Sequence, residues 1–264
     1  MIGVSCLGSY GRLGNQMFQY AAAYSLSQKY DSKVAIGTRD SYSVDGKLQL
    51  SEIFELSSAV INNFSAIKYQ FHEKNFQFAD ISNLPDHTDI VGYFQSEKYF
   101  ESHKQKIIEE EFIFKKHILE KTDSIFENLK SDLHLCSLHV RRGDYLKLSD
   151  THPPLEIDYY EQAISFLPKE IDILVFSDNI EEAKNLLESS ELFKERKKKY
   201  VSENHSIEMS LMTRCNYHVI ANSSFSWWGA WLSESKCVIA PKLWFGSSGP
   251  KVWDDIYCKN WITV

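Results

Sequence analysis

The sequence contains no long apolar run and carries no excess of positive charge. No window approaches the roughly 20 apolar residues of a membrane-spanning helix, and the start, MIGVSCLGSYG, has no basic segment before a signal-like apolar run. The formal net charge is −7, whereas a general nucleic-acid binder needs a basic surface. The basic run at 194–199 is interpreted as a solvated helix end. We therefore expect a cytoplasmic protein that binds no nucleic acid and associates with membranes at most peripherally.

Several patterns that carry metal or covalent chemistry are also missing. There is no Asp-x-Asp to bridge a metal to a nucleotide-sugar diphosphate, no His pattern with ligand spacing and no G-x-S-x-G elbow. The cysteines form no C-x-x-C pair and are expected to be free thiols: Cys6, Cys136, Cys215, Cys237 and Cys258. No metal or other cofactor is expected. Any diphosphate leaving group would therefore be stabilised by arginine and by helix N-termini.

The second half of the sequence alternates short apolar runs with helix-like stretches. This alternation predicts βαβ units on a parallel sheet, and strands that are apolar throughout should be covered on both faces. The predicted strands are 134–140, 171–176, 200–201, 217–221 and 237–240, and the predicted helices are 158–167, 180–188, 206–213 and 225–232. This half is predicted to be Rossmann-like.

Polar clusters follow four of these predicted strands. The loops that leave parallel strands lie on the carboxyl edge of the sheet, where ligands bind. The clusters occupy residues 141–144, 177–179, 203–205 and 222–224. Their convergence on one edge predicts a binding site there.

The first half opens with a strand, a glycine-rich turn and a helix with Asn15 at the N-cap position. The turn has the spacing G-x-x-G-x-x-G, which is not the dinucleotide fingerprint. Its free N–H groups and the positive helix end suit a phosphate, although a tight turn alone also explains the pattern. Further on, Ser96 is predicted to cap a helix from Glu97 to about Glu110.

These patterns predict an α/β protein in which a Rossmann-like second half faces a second α/β domain across a cleft. We predict an N-terminal α/β domain over 1–130, a Rossmann-like domain over 131–245, and a C-terminal segment over 246–264 that could return to the first domain.

The sharpest local motif is HVRRGD, which ends at Asp144. Two arginines directly after a buried strand need an anionic partner, and the planar guanidinium suits phosphate oxygens. The alternative is that one arginine pairs with Asp144 and the other is solvated.

A second motif, NSSFSWWGAW, joins a strand to a helix. Its serines are N-cap candidates whose hydroxyl and N–H groups could also bind phosphate. Because tryptophans clustered so closely are costly to expose, most should be core residues, although one could line a sugar pocket.

Together, GRLGNQMFQYA, HVRRGDY and ANSSFSWWGAWL resemble the bacterial α-1,2-fucosyltransferases of glycosyltransferase family 11. The stretches FSDN, GYFQSEKYF and 152–160 also resemble that family, so the likeness spans nearly the whole chain in order. The resemblance implies a GT-B fold of two Rossmann-like domains, with the acceptor side at 1–130 and the GDP-fucose-binding domain at 131–245. It also implies GDP-β-L-fucose as donor, a β-galactoside acceptor, and inverting transfer to its 2-hydroxyl without a metal.

The resemblance also implies roles for individual residues. Arg141 is expected to hold the β-phosphate and stabilise the leaving GDP, with Arg142 and Asp144 shaping its loop. Asp178 is expected to bind guanine or ribose. The donor-binding residues are expected to be Gly14, Asn15, His139, Arg141, Asp178, Ser224, Phe225 and Ser226. The family often reads Ser-Asp-Asp where this chain has Asn179, which leaves its ribose contact in doubt.

The acceptor side is less well defined by the resemblance. Asp144 is the first candidate for the general base, followed by His152 and Glu97. Arg141, Asp144 and His152 are the predicted catalytic residues, and Glu97, His152 and Trp228 the predicted acceptor-binding residues. Each base candidate has a simpler alternative: orienting an arginine, binding acceptor, or starting a helix.

Two other classes of protein remain open from the residues alone. A non-catalytic glycan or sugar-nucleotide binding module would keep the aromatics and arginines without turnover. A dinucleotide-dependent enzyme would share the fold but needs G-x-G-x-x-G and an acidic residue about 20 positions on. Asp31 lies near that distance, but the glycine spacing does not fit.

Overall fold

A computed structural model describes residues 1–37, 48–129 and 134–264. The chain forms two compact units. The N-terminal unit comprises Met1–Lys115 and Val252–Cys258, and the C-terminal unit comprises Lys116–Lys251 and Lys259–Val264. Within the described residues, no helix is long and apolar enough to cross a membrane.

The N-terminal unit is built on a parallel five-stranded sheet. Its elements are β1 (Ile2–Val4), α1 (Leu13–Gln28), β2 (Val34–Ile36), α2 (Leu50–Ile53), β3 (Ala59–Ile61), β4 (Tyr69–His72), β5 (Thr88–Val91) and α3 (Lys104–Lys106). The strand order is β3-β2-β1-β5-β4, and every neighbouring pair is parallel. Strands β1, β2 and β5 are buried throughout, as parallel strands covered on both faces should be.

Two local predictions in this unit are wrong. Arg12, not Asn15, occupies the N-cap of α1, and the Asn15 N–H donates to the Arg12 carbonyl from within the first turn. Ser96 does accept a hydrogen bond as a cap, but the chain beyond it is a series of short turns and not one helix. A π-helical turn over Ile107–Glu111 ends the series.

The C-terminal unit is built on a parallel six-stranded sheet. Its elements are α4 (Lys116–Leu129), β6 (Leu135–Val140), α5 (Ile157–Ser165), β7 (Asp172–Ser177), α6 (Ile180–Glu188), α7 (Glu191–Lys194), β8 (Lys198–Tyr200), α8 (His205–Met212), β9 (Tyr217–Val219), α9 (Ser224–Trp231), β10 (Cys237–Ala240) and β11 (Ile262–Thr263). The order is β11-β10-β9-β6-β7-β8, all parallel. The predicted α/β class with two Rossmann-like domains is confirmed, and each unit is built on a parallel sheet.

The unit boundaries differ from the predicted ranges 1–130, 131–245 and 246–264. The predicted boundary at 130/131 lies outside the described residues, and the two units divide at Lys115 and Lys116. Helix α4 belongs to the C-terminal unit because it packs along α8. The final segment is shared: Val252–Cys258 joins the N-terminal unit, while β11 extends the C-terminal sheet beside β10.

Candidate active site

Three loops of the C-terminal unit meet at the carboxyl edge of its sheet. Strands β9, β6 and β7 are neighbours, so the segments that follow them start side by side. The contacts join them directly. Arg141, after β6, lies 3.1 Å from Asp178, after β7, and the Tyr145 hydroxyl donates to the Asn222 carbonyl, after β9, at 3.0 Å. The predicted convergence is therefore present in the fold for three of the four clusters, at 141–144, 177–179 and 222–224.

Arg141 lies at the centre of this edge, between two carboxylates. One terminal nitrogen is 2.5 Å from Asp144 Oδ1, and the other is 3.1 Å from Asp178 Oδ2. The guanidinium carbon lies 5.0 Å from the centre of the Tyr145 ring, a cation–π distance. The side chain is only 15% exposed, and its Nε is buried without a hydrogen-bond partner in the described structure. This arrangement holds a guanidinium in one orientation at the edge where ligands bind.

Arg142 is directed into the loop that carries it. Its backbone N–H donates to Asp178 Oδ1 at 2.9 Å, and its side chain donates to the Leu155 carbonyl at 3.2 Å. Glu156 lies 3.4 Å from the same nitrogen. The two adjacent arginines thus have different roles. Arg142 anchors the loop to the start of α5, while Arg141 lies at the strand ends.

Gly143 permits this loop to approach Asp178. A Cβ at this position would lie 2.0 Å from Asp178 Oδ2, the oxygen that pairs with Arg141. Only glycine leaves room for the carboxylate. The sequence motif contained this residue, but the need for it comes from a contact between two loops and could not be read from the motif.

His139 lies at the buried end of β6, behind the arginines. Its ring is 4% exposed, lies 5.9 Å from the Phe225 ring, and carries a buried Nδ1 without a partner in the described structure. Burial, together with the smaller effect of the Arg141 charge, lowers its pKa to about 3. The imidazole is therefore neutral at physiological pH and available as a hydrogen-bonding group.

The first turn of α9 presents Ser224 and Phe225, both partly exposed. The first N–H groups of a helix have no partner within it, and the helix dipole makes this end positive. Ser226 is different, because it is buried and its hydroxyl donates to the Ser223 carbonyl at 3.3 Å. Its side chain is thus engaged within the helix.

Trp228, predicted to contact the acceptor, lies in the core of the C-terminal unit. The ring is fully buried and packs against Trp227 and Trp231, with ring centroids 5.0 Å apart in each pair. A ring without exposed surface has no face on which to stack a sugar. The tryptophans of this motif are core residues.

His152 stacks on Tyr145, with ring centroids 4.9 Å apart and an interplanar angle of 18°. Burial lowers the pKa of His152, Asp144 opposes that shift, and Arg141 adds to it. The neutral ring is the form that can accept a proton.

Asn222, which the sequence analysis named only as part of a cluster, connects the loop after β9 to two other segments. Its side-chain amide donates to the Pro153 and Trp244 carbonyls at 3.0 and 3.2 Å.

The remaining predicted site residues belong to the N-terminal unit. Gly14 is buried in α1, and Asn15 Oδ1 accepts a hydrogen bond from Gln95 at 2.8 Å. Glu97 begins a short turn beside Cys258, and burial together with the Glu97 charge raises the pKa of that thiol. Their donor and acceptor roles stay predictions.

Glu208, in the first turn of α8, is a carboxyl group that sequence reasoning missed. Its pKa is raised to about 7, mainly by burial and further by the charges of Glu203 and Asp178, while the Glu203 N–H, 3.3 Å away, opposes the shift. It thus couples weakly to Asp178, the carboxylate that holds Arg141.

No group of three or more His, Cys, Asp or Glu side chains in the described part of the chain is placed to hold a metal ion.

The chain matches known glycosyltransferases over nearly its whole length. The O-antigen biosynthesis glycosyltransferase WbnK of Escherichia coli is 31% identical, covering 98% of this chain and 99% of the relative. The α-1,2-colitosyltransferase of Escherichia coli is also 31% identical, covering 89% and 90%. The galactoside 2-α-L-fucosyltransferase SEC1 of Bos taurus is 24% identical, covering 89% and 66%.

Solved structures of fucosyltransferases share the fold. The NodZ fucosyltransferase of Bradyrhizobium superposes with a TM-score of 0.59 at 15% identity, covering 95% of this chain and 96% of that one. NodZ soaked with GDP-fucose gives 0.57 at 15% identity, covering 95% and 97%.

The fold and these matches define a glycosyltransferase. Within that class, the model of glycosyl transferase family 11 matches residues 4–264, and the chain belongs to this family. The resemblance noted in the sequence motifs is confirmed.

Replacing Glu208 by Gln should raise the melting temperature at pH 8 more than at pH 5. A carboxyl whose folded pKa lies near 7 binds its proton more tightly in the folded state, so its contribution to stability falls as pH rises from its ordinary value of 4.5 towards 7. One pKa unit corresponds to about 1.4 kcal/mol, so the free energy of unfolding that Glu208 costs at high pH is up to about 3 kcal/mol. Glu120→Gln, on the exposed face of α4, is the control. A Glu208→Gln effect that does not change between pH 5 and 8 would contradict the assignment.

Proposed function

We propose that the protein transfers L-fucose from GDP-β-L-fucose to the 2-hydroxyl of a terminal β-galactoside, forming an α-1,2 linkage with inversion and without a metal. Membership of family 11 supports the reaction class. Two relatives are named for α-1,2 or 2-α transfer, one of them to galactosides, and a structure of NodZ, which shares the fold, was solved from a crystal soaked with GDP-fucose.

The observation that carries the proposal is the orientation of Arg141. A guanidinium held by Asp144 and Asp178 at the carboxyl edge is placed to meet a diphosphate. The N–H groups of Ser224, Phe225 and Ser226 at the start of α9 supply further donors for phosphate oxygens. The Ser226 contribution would come from its backbone, since its hydroxyl already bonds within the helix.

The nucleoside end of the donor fits the neighbouring residues. Asp178 uses one oxygen for the Arg142 N–H and the other for Arg141, and a carboxylate accepts about four hydrogen bonds, so capacity remains for ribose or guanine. The neutral His139 offers a buried nitrogen nearby.

Asn179 caps α6 by accepting from the Glu182 N–H at 3.2 Å, a bond that a carboxylate would also make. The departure from Ser-Asp-Asp therefore leaves helix α6 intact.

The chemical step needs a base and a stabilised leaving group. The acceptor O2 loses its proton to a base and attacks C1 of fucose on the face opposite GDP. The bond from C1 to the phosphate oxygen breaks, and its electron pair leaves on the β-phosphate, whose added charge Arg141 stabilises. Asp144 is the first candidate for the base. When a phosphate oxygen takes up a guanidinium N–H, Asp144 gains capacity to accept a proton, and neutral His152 is the second candidate.

A second donor sugar has specific support. Colitose is L-fucose without its 3-hydroxyl, and the α-1,2-colitosyltransferase is 31% identical to this chain, against 24% for SEC1. The same phosphate and guanosine contacts would serve both donors. Parallel assays with GDP-fucose and GDP-colitose distinguish them through the ratio of their kcat/KM values.

Replacing Arg141 by Ala should lower kcat for acceptor-dependent GDP release about 100- to 1,000-fold, because a charge-stabilising donor is lost at the leaving group. The assay uses GDP-fucose with and without lactose, in EDTA. Arg214→Ala, which removes a surface arginine paired with Asp123, is the matched control and should leave the rate unchanged. Release that requires added metal would contradict metal independence, and near-normal Arg141→Ala activity would overturn the assignment of Arg141.

Replacing Gly143 by Ala should weaken GDP binding measured by calorimetry, because the new methyl group displaces the Asp178 carboxylate from Arg141. The double variant Gly143→Ala with Asp178→Ala should bind no more weakly than Asp178→Ala alone, since the clash is then removed. Fully additive losses would show that Gly143 acts by another route.

A further inference from the structure

The N-terminal unit contains a pocket of about 240 Å³ at the carboxyl edge of its sheet. Its walls come from the segments after β1, β4 and β5: Tyr10, Glu73, Asn75, Phe76, Gly92 and Tyr93. We call this the aromatic pocket. It is smaller than the roughly 300–1,000 Å³ of sites for drug-sized ligands and suits a single ring-sized group.

Three aromatic rings from separate loops form a continuous stack in the aromatic pocket. Tyr93 lies between the other two, with ring centroids 5.5 Å from Tyr10 and 5.3 Å from Phe76 and interplanar angles of 29° and 25°. Tyr10 is 39% exposed, and Phe76 and Tyr93 are partly exposed. These rings are thus accessible to a ligand, unlike the tryptophans of α9.

The backbone beneath the rings is held by hydrogen bonds with polar side chains. The carboxylate of Glu73 accepts the N–H groups of Tyr93 at 2.7 Å and Phe94 at 3.1 Å. Phe94 is fully buried with a φ of +52°, a conformation that side-chain-bearing residues rarely adopt. The Glu73 carboxylate therefore holds a turn that the chain would not adopt unaided.

Gln19 of α1 connects the other two walls. Its side-chain amide is fully buried and donates to the Tyr10 carbonyl at 3.1 Å and to the Gly92 carbonyl at 3.0 Å. Loops held in place before a ligand arrives lose less conformational entropy on binding it. The aromatic pocket is thus a preorganised binding surface.

The close contact between the three rings limits how a ligand can bind. The rings already contact one another, so they leave no gap into which a flat nucleobase could insert between them. A ligand must lie on the outer faces and edges, beside the polar side chains of His72, Lys74 and Asn75 on the same wall. In a β-galactopyranoside the axial O4 leaves C3–H, C4–H and C5–H together on one face, which packs on an aromatic ring while the hydroxyls meet polar groups.

We propose that the aromatic pocket is the acceptor subsite, where the terminal β-galactoside is bound through its apolar face. This inference rests on the proposed function for the identity of the sugar, since transfer to a galactoside requires a place for that ring. Tyr10 and Phe76 present the outer faces on which the sugar stacks, and Tyr93 holds these two rings from between them. Glu73 and Gln19 act through the rings as positioning residues.

The test measures saturation transfer from the protein to lactose and to methyl β-D-galactoside by NMR, in the absence of donor, and then KM values in the transfer assay. Tyr10→Ala and Tyr93→Ala should weaken galactoside binding and raise the acceptor KM by about tenfold or more. The KM for GDP-fucose should stay unchanged. Tyr93→Phe keeps the ring and should retain binding. Tyr69→Ala, which removes an exposed tyrosine from β4 outside the pocket, is the matched control.

The outcomes separate the two proposals. Normal galactoside binding and acceptor KM in Tyr10→Ala, which alters an exposed side chain and should fold, would overturn the assignment of the pocket. Failure of wild type to bind either galactoside would overturn it as well. Galactoside binding that is lost in the alanine variants, but without transfer from GDP-fucose by wild type, would support the pocket and contradict the proposed donor.

Discussion

A guanidinium that is mostly withdrawn from water must be paired, and this requirement organises the C-terminal site. Arg141 is 15% exposed and lies between Asp144 and Asp178. Removing either carboxylate would leave a buried cation only partly compensated, which is costly. Both carboxylates are therefore needed to stabilise the Arg141 side chain, whatever part they take in the reaction, and each is positioned by its own loop.

The parallel sheet makes this pairing possible. The order β9-β6-β7 places the three loops side by side, and Gly143 lets the β6 loop approach the β7 carboxylate within a distance that any Cβ would prevent. The Arg142 N–H then holds the second oxygen of that carboxylate. Under the proposed function, such a site would bind a diphosphate by exchanging or adding partners around a cation that is already oriented, which needs little reorganisation.

Sequence patterning predicted the C-terminal unit well because its strands are uniformly apolar. The predicted helix 180–188 and the predicted strand 237–240 have the bounds found in the fold. The chain after Ser96 was predicted less well, since its apolar residues fit a helix but the backbone breaks into short turns. The boundary at Lys115 could not be read because it depends on α4 packing along α8, a contact distant in sequence.

In the site, too, features set by local sequence could be predicted, and features set by distant contacts could not. Arg141, Asp144 and Asp178 follow strands directly, so their meeting could be predicted from the alternation of strands and helices. The burial of Trp228, the role of Gly143 and the raised pKa of Glu208 each depend on neighbours from other segments. The aromatic pocket was missed for that reason, because its rings come from three separate loops and no local motif joins them.

The most direct test of the central claim is a crystal structure of the protein bound to GDP. The account predicts that a β-phosphate oxygen lies within hydrogen-bond distance of the Arg141 guanidinium and of the N–H groups that begin α9, with Asp178 still paired to the Arg142 N–H. A diphosphate bound away from Arg141, with the arginine still held by both carboxylates, would contradict it.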